Sequence, residues 1–323
     1  MRYASIDIGT NTLRLLVADL DGSGGRKDGA ALAPVLYESR ITRLGGGYTP
    51  ARGIDPAAAE RTLKGLEDFR SVIDRAGGVE GVFAVATSVV RRAANSDRLV
   101  AGARRRAGVE IEVISGAEEA RLSLLGVATV VGGAGPARML VMDIGGGSTE
   151  FVVSEGCAPA GQWSMEMGVV HLSEDHLRSD PPAAGELRAI EGEVALVIEE
   201  LRSGMRASGV DPGGLGPSGG VTFVGTAGTV TTLAALDLGL DAYDRDRVNN
   251  HVLTRERVGG LYRRLAALTL AERSKLPGLE KGREDLIIPG LAITIAAMDS
   301  FGFAELKVSD AGLLEGVLLD RAS

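Results

Sequence analysis

The sequence predicts an α/β protein built from two related halves, on three observations. Apolar runs of strand length alternate with longer segments of helical periodicity along the chain, the pattern of sheets packed against helices. A distinctive turn occurs twice, as Ser5-Ile-Asp-Ile-Gly-Thr-Asn-Thr12 and as Val141-Met-Asp-Ile-Gly-Gly-Gly-Ser-Thr-Glu150. Asp7, Ile8 and Gly9 align with Asp143, Ile144 and Gly145, Thr12 with Ser148, and Leu15-Leu16-Val17 with Phe151-Val152-Val153. The 323 residues, 45% of them hydrophobic, are enough for two domains with sizeable cores. Coincidence between two unrelated hairpins is the alternative explanation of the repeat.

The first half opens with strands over Tyr3–Ile8, Leu13–Leu20 and Val35–Arg43, with the Gly/Asp-rich stretch Asp21–Gly29 as a hairpin loop. Asp55 before Pro56 has the form of an N-cap with proline at the first helical position, and Leu63, Leu66, Phe69 and Ile73 follow at helical spacing. Val82–Ala86 is a short buried strand. Ser96 is placed to cap the helix containing Arg104-Arg105-Arg106, and Glu110–Ile114 is the next strand. In the second half, Arg138–Asp143 and the stretch to Trp163 fit three strands, and helices fit Val169–Leu177 and Glu186–Met205. Asp211–Gly220 is a loop, and Val221–Val224 is a strand leading into a helix near Gly225–Thr229. Helices over Glu256–Leu268 and Asp285–Phe301, a strand at Leu306–Val308 and a C-terminal helix complete the order.

Bulk properties narrow the function classes. A formal charge of −8 argues against a general nucleic-acid or membrane-surface binder, although a local basic cleft would still accept a polyanion. Aromatic residues are scarce, so packing rests on Leu, Val, Ala and Ile. Cys157 is the lone cysteine, which excludes an intramolecular disulfide and suits a reducing compartment. The N-terminus lacks an apolar signal core, and the longest apolar stretch, Leu286–Met298, is too short to span a bilayer and contains Pro289. A soluble cytoplasmic protein is expected, without membrane or nucleic-acid partners.

Several turns carry chemistry. After the strand that ends at Asp143, the glycines Gly145, Gly146 and Gly147 let the backbone approach a ligand, and their successive N–H groups with Ser148 form a concavity for anions. Asp143 and Glu150 flank this loop and could hold a divalent cation beside the anion; a plain hairpin is the alternative. Val224-Gly-Thr-Ala-Gly-Thr229 is another strand–turn–helix whose N–H groups would face an anion. Its plainer explanation is a helix start capped by Thr226. Thr87-Ser88-x-x-Arg91-Arg92 follows a strand end, where α/β proteins place ligands, and arginine grips phosphate with a planar fork; a solvated basic face is the alternative. In Ser115-Gly-Ala-Glu-Glu-Ala-Arg121 the Ser115/Glu118 spacing is that of a capping box, in which Glu118 reaches back to the Ser115 N–H. Glu119 has no such task. It is a candidate general base for an attacking water, or else a solvated first-turn acid favoured by the helix dipole. His171, His176 and His251 have no metal-ligand spacing and are read as structural or solvent-facing. Neither a P-loop nor a Gly-x-Ser-x-Gly elbow is present.

Seven motifs then stand in one order: Asp7-Ile-Gly-Thr-Asn-Thr-x-Arg14, Ala86-Thr-Ser-x-x-Arg91, Ile114-Ser-Gly-x-Glu-Glu-Ala-Arg121, Asp143-Ile-Gly-Gly-Gly-Ser-Thr-Glu150, Gly225-Thr-Ala-Gly-Thr229, Gly282-Arg-x-Asp285 and Val308-Ser-Asp-x-Gly-Leu-x-Glu-Gly316. Through them the chain resembles, over nearly its whole length, the exopolyphosphatase/guanosine pentaphosphate phosphatase family, whose fold relatives include actin and the sugar kinases. The resemblance implies two ribonuclease H-like domains flanking an interdomain cleft. Their expected bounds are 1–124, joined by the C-terminal helix at about 310–323, and 125–309. It implies metal-assisted hydrolysis of a terminal phosphoanhydride with Mg²⁺ or another divalent cation such as Mn²⁺. By the same resemblance Glu119 falls on the catalytic base and Asp143 and Glu150 on metal-associated acids. Gly145, Gly146, Gly147 and Ser148 fall on the phosphate loop, and Asn11 and Arg91 on phosphate contacts, with the turn of Thr226, Gly228 and Thr229 as a further phosphate holder. Thr12 stands where many members have serine. Longer members carry C-terminal helical domains, including an HD-type domain, that this sequence lacks, so short polyphosphate is the expected substrate. Removal of the 5'-phosphate of guanosine pentaphosphate is the first alternative. A non-catalytic polyphosphate or alarmone sensor is the second, a sugar-kinase-like phosphotransferase is disfavoured, and a homodimer is a family expectation.

Overall fold

A computed structural model describes residues 1–20, 32–131 and 138–322, so the loop expected at Asp21–Gly29 lies outside the described residues. Two compact units result, Met1–Gly126 with Gly312–Ser323, and Val127–Ala311.

In the first unit β1 (Arg2–Ile8), β2 (Thr12–Leu20) and β3 (Leu32–Ile41) pair antiparallel. They are followed by α1 (Pro56–Arg75), β4 (Gly81–Ala86), α2 (Ser88–Arg92), α3 (Ser96–Ala107), β5 (Ile111–Val113) and α4 (Gly116–Val131). β4 runs parallel to β1 and β5 parallel to β4, giving the order β3-β2-β1-β4-β5. Asp55 caps α1 as expected, accepting from Ala58 N at 3.0 Å. Ser96 does not cap α3. It is the first helical residue, and Asn95 stands at the cap position. The Asn95 amide instead holds Ile54, accepting from its N–H at 2.8 Å and donating to its carbonyl at 2.9 Å, which satisfies the backbone of an irregular segment.

The second unit repeats the plan. β6 (Arg138–Ile144), β7 (Thr149–Glu155) and β8 (Ala158–Met165) form an antiparallel meander. Then come α5 (Val169–His176), α6 (Ala184–Ala207), β9 (Val221–Thr226), α7 (Ala227–Leu238), α8 (Arg245–Val248), β10 (Val252–Thr254), α9 (Arg255–Ala266), α10 (Leu270–Arg273), α11 (Ile287–Phe301) and β11 (Glu305–Val308). β9 is parallel to β6 and β11 parallel to β9, in the order β10-β11-β9-β6-β7-β8. The series β8-β7-β6-β9-β11 therefore matches β3-β2-β1-β4-β5, the duplicated ribonuclease H-like architecture that the resemblance implies. β10, too short to stand out in the sequence, adds an edge strand. The stretch Asp211–Gly220 contains two short 3₁₀ turns, Pro212–Leu215 and Pro217–Gly219.

The last helix, α12 (Leu313–Arg321), belongs to the first unit. Leu13, Leu15 and Val17 of β2 pack with Leu66 and Phe69 of α1, while Leu16, Ala18 and Leu20 on the other face pack with Leu314 and Leu318 of α12. This double burial explains why β2 reads as a continuous apolar run rather than an alternating one. Ser5 Oγ donates to Leu314 O at 2.9 Å beneath the helix. α12 also meets α4 backbone to backbone: a Cβ on Gly316 would overlap Leu122 O, and one on Gly126 would overlap Gly312 O. Backbone cannot rotate aside as a side chain can, so Gly316→Ala should destabilise the fold by about 1–3 kcal/mol. Urea denaturation reads this out; a loss under about 0.5 kcal/mol would mean that the helices separate without cost.

Candidate functional site

The turn between β6 and β7 owes its shape to hydrogen bonds on one side only. Gly145 N–H donates to Ser148 O at 2.9 Å and closes the hairpin. The carbonyls of Gly145 and Gly146 accept from Val169 N at 3.2 Å and Val170 N at 2.9 Å, two first-turn donors of α5 that have no partner within their own helix. With these groups engaged, the N–H groups of Gly146, Gly147 and Ser148 have no backbone acceptor among the described residues. The expectation of a Gly145–Ser148 anion concavity thus needs one correction: the Gly145 N–H is consumed by the turn itself, and three donors remain. Gly168, absent from the sequence-derived site, makes the arrangement possible, because a Cβ there would overlap Gly146 O and Gly147. Gly168→Ala should displace the loop and raise KM for a phosphate substrate well before it lowers the denaturation midpoint. An unchanged KM would remove Gly168 from the site.

The same turn in the first unit is built alike but charged differently. Gly9 N–H donates to Thr12 O at 3.1 Å, so the repeat read from the sequence extends to individual hydrogen bonds. Across the strands Asp7 lies opposite Arg14, whose Nε and Nη2 both donate to Asp7 Oδ2, at 2.8 and 2.6 Å, while Asp7 Oδ1 is buried without a hydrogen bond among the described residues. In the second unit Asp143 lies opposite Glu150. Both are buried, Asp143 at 7% and Glu150 at 1% exposure. Carboxylates directly opposite in an antiparallel pair repel unless a cation or a proton intervenes. Ser164 Oγ donates to Glu150 Oε1 at 2.7 Å and fixes that carboxylate from the next strand.

This donor set fits a hard divalent cation, which takes oxygen ligands. Among the described residues no group of three or more His, Cys, Asp or Glu is arranged around one point. Mg²⁺ is commonly held by one or two carboxylates together with substrate phosphates and water, so two acids beside an anion loop meet its requirement. No zinc-like set is present among those residues.

Glu119 lies in the first turn of α4 and is 8% exposed, so it is not a solvated first-turn acid. Arg91 Nη1 donates to Ile114 O at 2.8 Å and lies 3.3 Å from Glu119 Oε2, which orients the carboxylate and leaves Arg91 on no free basic face. Glu118 departs from expectation in part. Its N–H donates to Ser115 Oγ at 3.1 Å, the forward half of a capping box. Its carboxylate, however, pairs with Arg121 at 2.8 Å and Arg321 at 3.3 Å rather than serving Ser115 N–H. Two guanidinium groups compete better for a carboxylate than one amide does, and they hold it below the usual carboxylate range. Asn11, 5% exposed, donates through Nδ2 to Thr12 Oγ1 at 3.3 Å, and its Oδ1 is buried without a hydrogen-bond partner.

The start of α7 is the remaining sequence-derived anion turn. Thr226 occupies the N-cap position without a side-chain cap bond, since its Oγ1 donates to Ala311 O at 3.0 Å. This removes both its capping explanation and its hydroxyl as a ready phosphate contact. Ala227 takes a left-handed φ of 68°, which turns the chain into the helix. The N–H groups of Gly228 and Thr229 have no backbone acceptor among the described residues, as in the first turn of any helix. Over Gly228 lies Arg283, whose guanidinium a Cβ on Gly228 would overlap. Arg283 is a second residue outside the sequence-derived site, although Gly282-Arg-x-Asp285 was its signal. Two of the three histidines are elsewhere engaged: His176 Nε2 with Glu193 at 2.6 Å and His251 Nε2 with Asp237 at 2.7 Å.

Comparison with known proteins converges on the same residues' family. The model of the Ppx/GppA phosphatase family matches residues 25–323. Exopolyphosphatase 2 of Mycobacterium tuberculosis is 35% identical over 331 residues, covering 99% of this chain and 98% of that protein. The guanosine-5'-triphosphate,3'-diphosphate pyrophosphatase of Aeromonas hydrophila is 28% identical over 316 residues, covering 98% of this chain and 58% of its own. The solved Ppx/GppA enzyme of Aquifex aeolicus superposes with a TM-score of 0.77 at 32% identity over 99% of both chains. The duplicated sheets, the paired acids beside a glycine turn and this whole-length similarity together show that the chain belongs to the Ppx/GppA phosphatase family.

Proposed function

We propose that this protein is an exopolyphosphatase that hydrolyses the terminal phosphoanhydride of inorganic polyphosphate and releases orthophosphate, in the cytoplasm, with Mg²⁺ or Mn²⁺ as cofactor. The observation that carries the reading is the in-register pair Asp143 and Glu150 beside the open N–H groups of Gly146, Gly147 and Ser148, in a chain similar over its whole length to an exopolyphosphatase.

Held by Asp143 and Glu150, the cation would neutralise developing charge on the phosphate oxygens. The loop donors and the first-turn N–H groups of α7 bind terminal phosphate oxygens, with Arg283 adding positive charge at the latter. To Asn11 and Arg91 the family resemblance assigns contacts with phosphate. Glu119 accepts the proton of the attacking water at a carboxylate oxygen. Water oxygen bonds to the terminal phosphorus as the bridging P–O bond breaks, and the shortened chain leaves with the bridging oxygen. Positioning and charge neutralisation supply most of the acceleration.

The Aeromonas relative favours a second reading, a guanosine pentaphosphate 5'-phosphohydrolase, because the same machinery would cut the same kind of bond. Phosphate release from short polyphosphate, long polyphosphate and guanosine pentaphosphate, assayed side by side, decides between them. Faster release from either polyphosphate is the expected result. Preference for the nucleotide would install the second reading, and release from none would leave a binding protein. A homodimer, expected from the family, is tested by light scattering of the same sample.

A further inference from the structure

A cavity of about 300 Å³ lies in the second unit among α6, α9 and α11. It takes no part in the chemistry above. Arg255, Gly259 and Arg263 fall one turn apart on α9 and share a face. The Nη1 atoms of Arg255 and Arg263 lie 2.8 and 3.5 Å from the point a Cβ on Gly259 would occupy, so two guanidinium groups converge over a residue that leaves the space open. Arg255 is held there by a bidentate pair with Asp299, Nε at 2.7 Å and Nη2 at 2.9 Å, which leaves its Nη1 directed at the cavity. Arg263 makes no hydrogen bond or ion pair among the described residues. The floor is apolar, from Ala292, Ile295 and Ala296 of α11. Tyr262 closes one side, fixed by its hydroxyl donating to Glu191 Oε1 at 2.9 Å.

Like charges do not gather over an empty space without cost, and a planar pair of guanidinium forks suits phosphate or carboxylate oxygens. We propose that this cavity is a binding site for a small organic anion, its anionic group on Arg255 and Arg263 and its apolar body on the α11 floor. The size fits a single ring or a short aliphatic group.

Phenylphosphonate, which has no phosphoanhydride to cleave, is a suitable probe. Titrated into protein carrying labelled Ala and Ile methyl groups, it should shift the NMR resonances of Ala292, Ile295 and Ala296. Methylphosphonate, lacking the apolar body, should bind about tenfold more weakly or less. Arg263→Ala, at an exposed position, should weaken the phenylphosphonate response on the order of tenfold. Shifts confined to residues near Gly145–Ser148, or an Arg263→Ala titration identical to the parent's, would overturn the proposal.

Discussion

Glu119→Gln is expected to lower kcat by about 10²–10⁴-fold, the usual contribution of a general base, with KM little changed. Glutamine keeps the size of the side chain and can still accept from Arg91 Nη1, which also retains its bond to Ile114 O. The orientation of α4 is therefore preserved, and what is lost is the ability to take a proton. A fall in kcat and kcat/KM together is the signature of a group needed only in the transition state. Steady-state phosphate release on short polyphosphate measures it. Turnover within about tenfold of the parent's would remove Glu119 from the base role. The neighbouring Glu118→Gln serves as the contrast: its carboxylate is committed to Arg121 and Arg321, so its effect should appear in stability and not in kcat.

Asp143→Ala is expected to raise the Mg²⁺ concentration needed for half-maximal activity by at least about 10–100-fold, the range seen when the supports of metal sites are removed. A readout independent of catalysis follows from mass action. A cation that binds the folded state at 100 times its Kd stabilises it by about 2.7 kcal/mol, so Mg²⁺ should raise the melting temperature of the parent protein and not that of the variant. Identical Mg²⁺ dependence of melting in the two proteins would place the cation elsewhere.

Strand and helix order was legible because periodicity reports burial directly: the runs at β1, β2, β6 and β9 are apolar since both faces of each sheet are covered. Short elements such as β10 and α8 were not legible, because three or four residues carry no period. Within the site, Gly146, Gly147, Ser148, Asp143 and Glu119 could be singled out by residue type and spacing. Gly168 could not be given a part that way, since a lone glycine has no local signature, and the motif Gly282-Arg-x-Asp285 marked Arg283 without showing that it lies over the distant Gly228. Thr226 shows the converse: its hydroxyl reads as a cap, yet the nearest strong acceptor proved to be Ala311 O.

By itself the sequence determined that this protein is a duplicated α/β chain with a glycine turn after each first strand. Only tertiary structure decided which side chains each turn brings together. Strand register sets Asp7 against Arg14 and Asp143 against Glu150. Asp7 thereby meets a positive charge and Asp143 a second carboxylate, and which group faces which is a property of pairing between strands that no single segment contains.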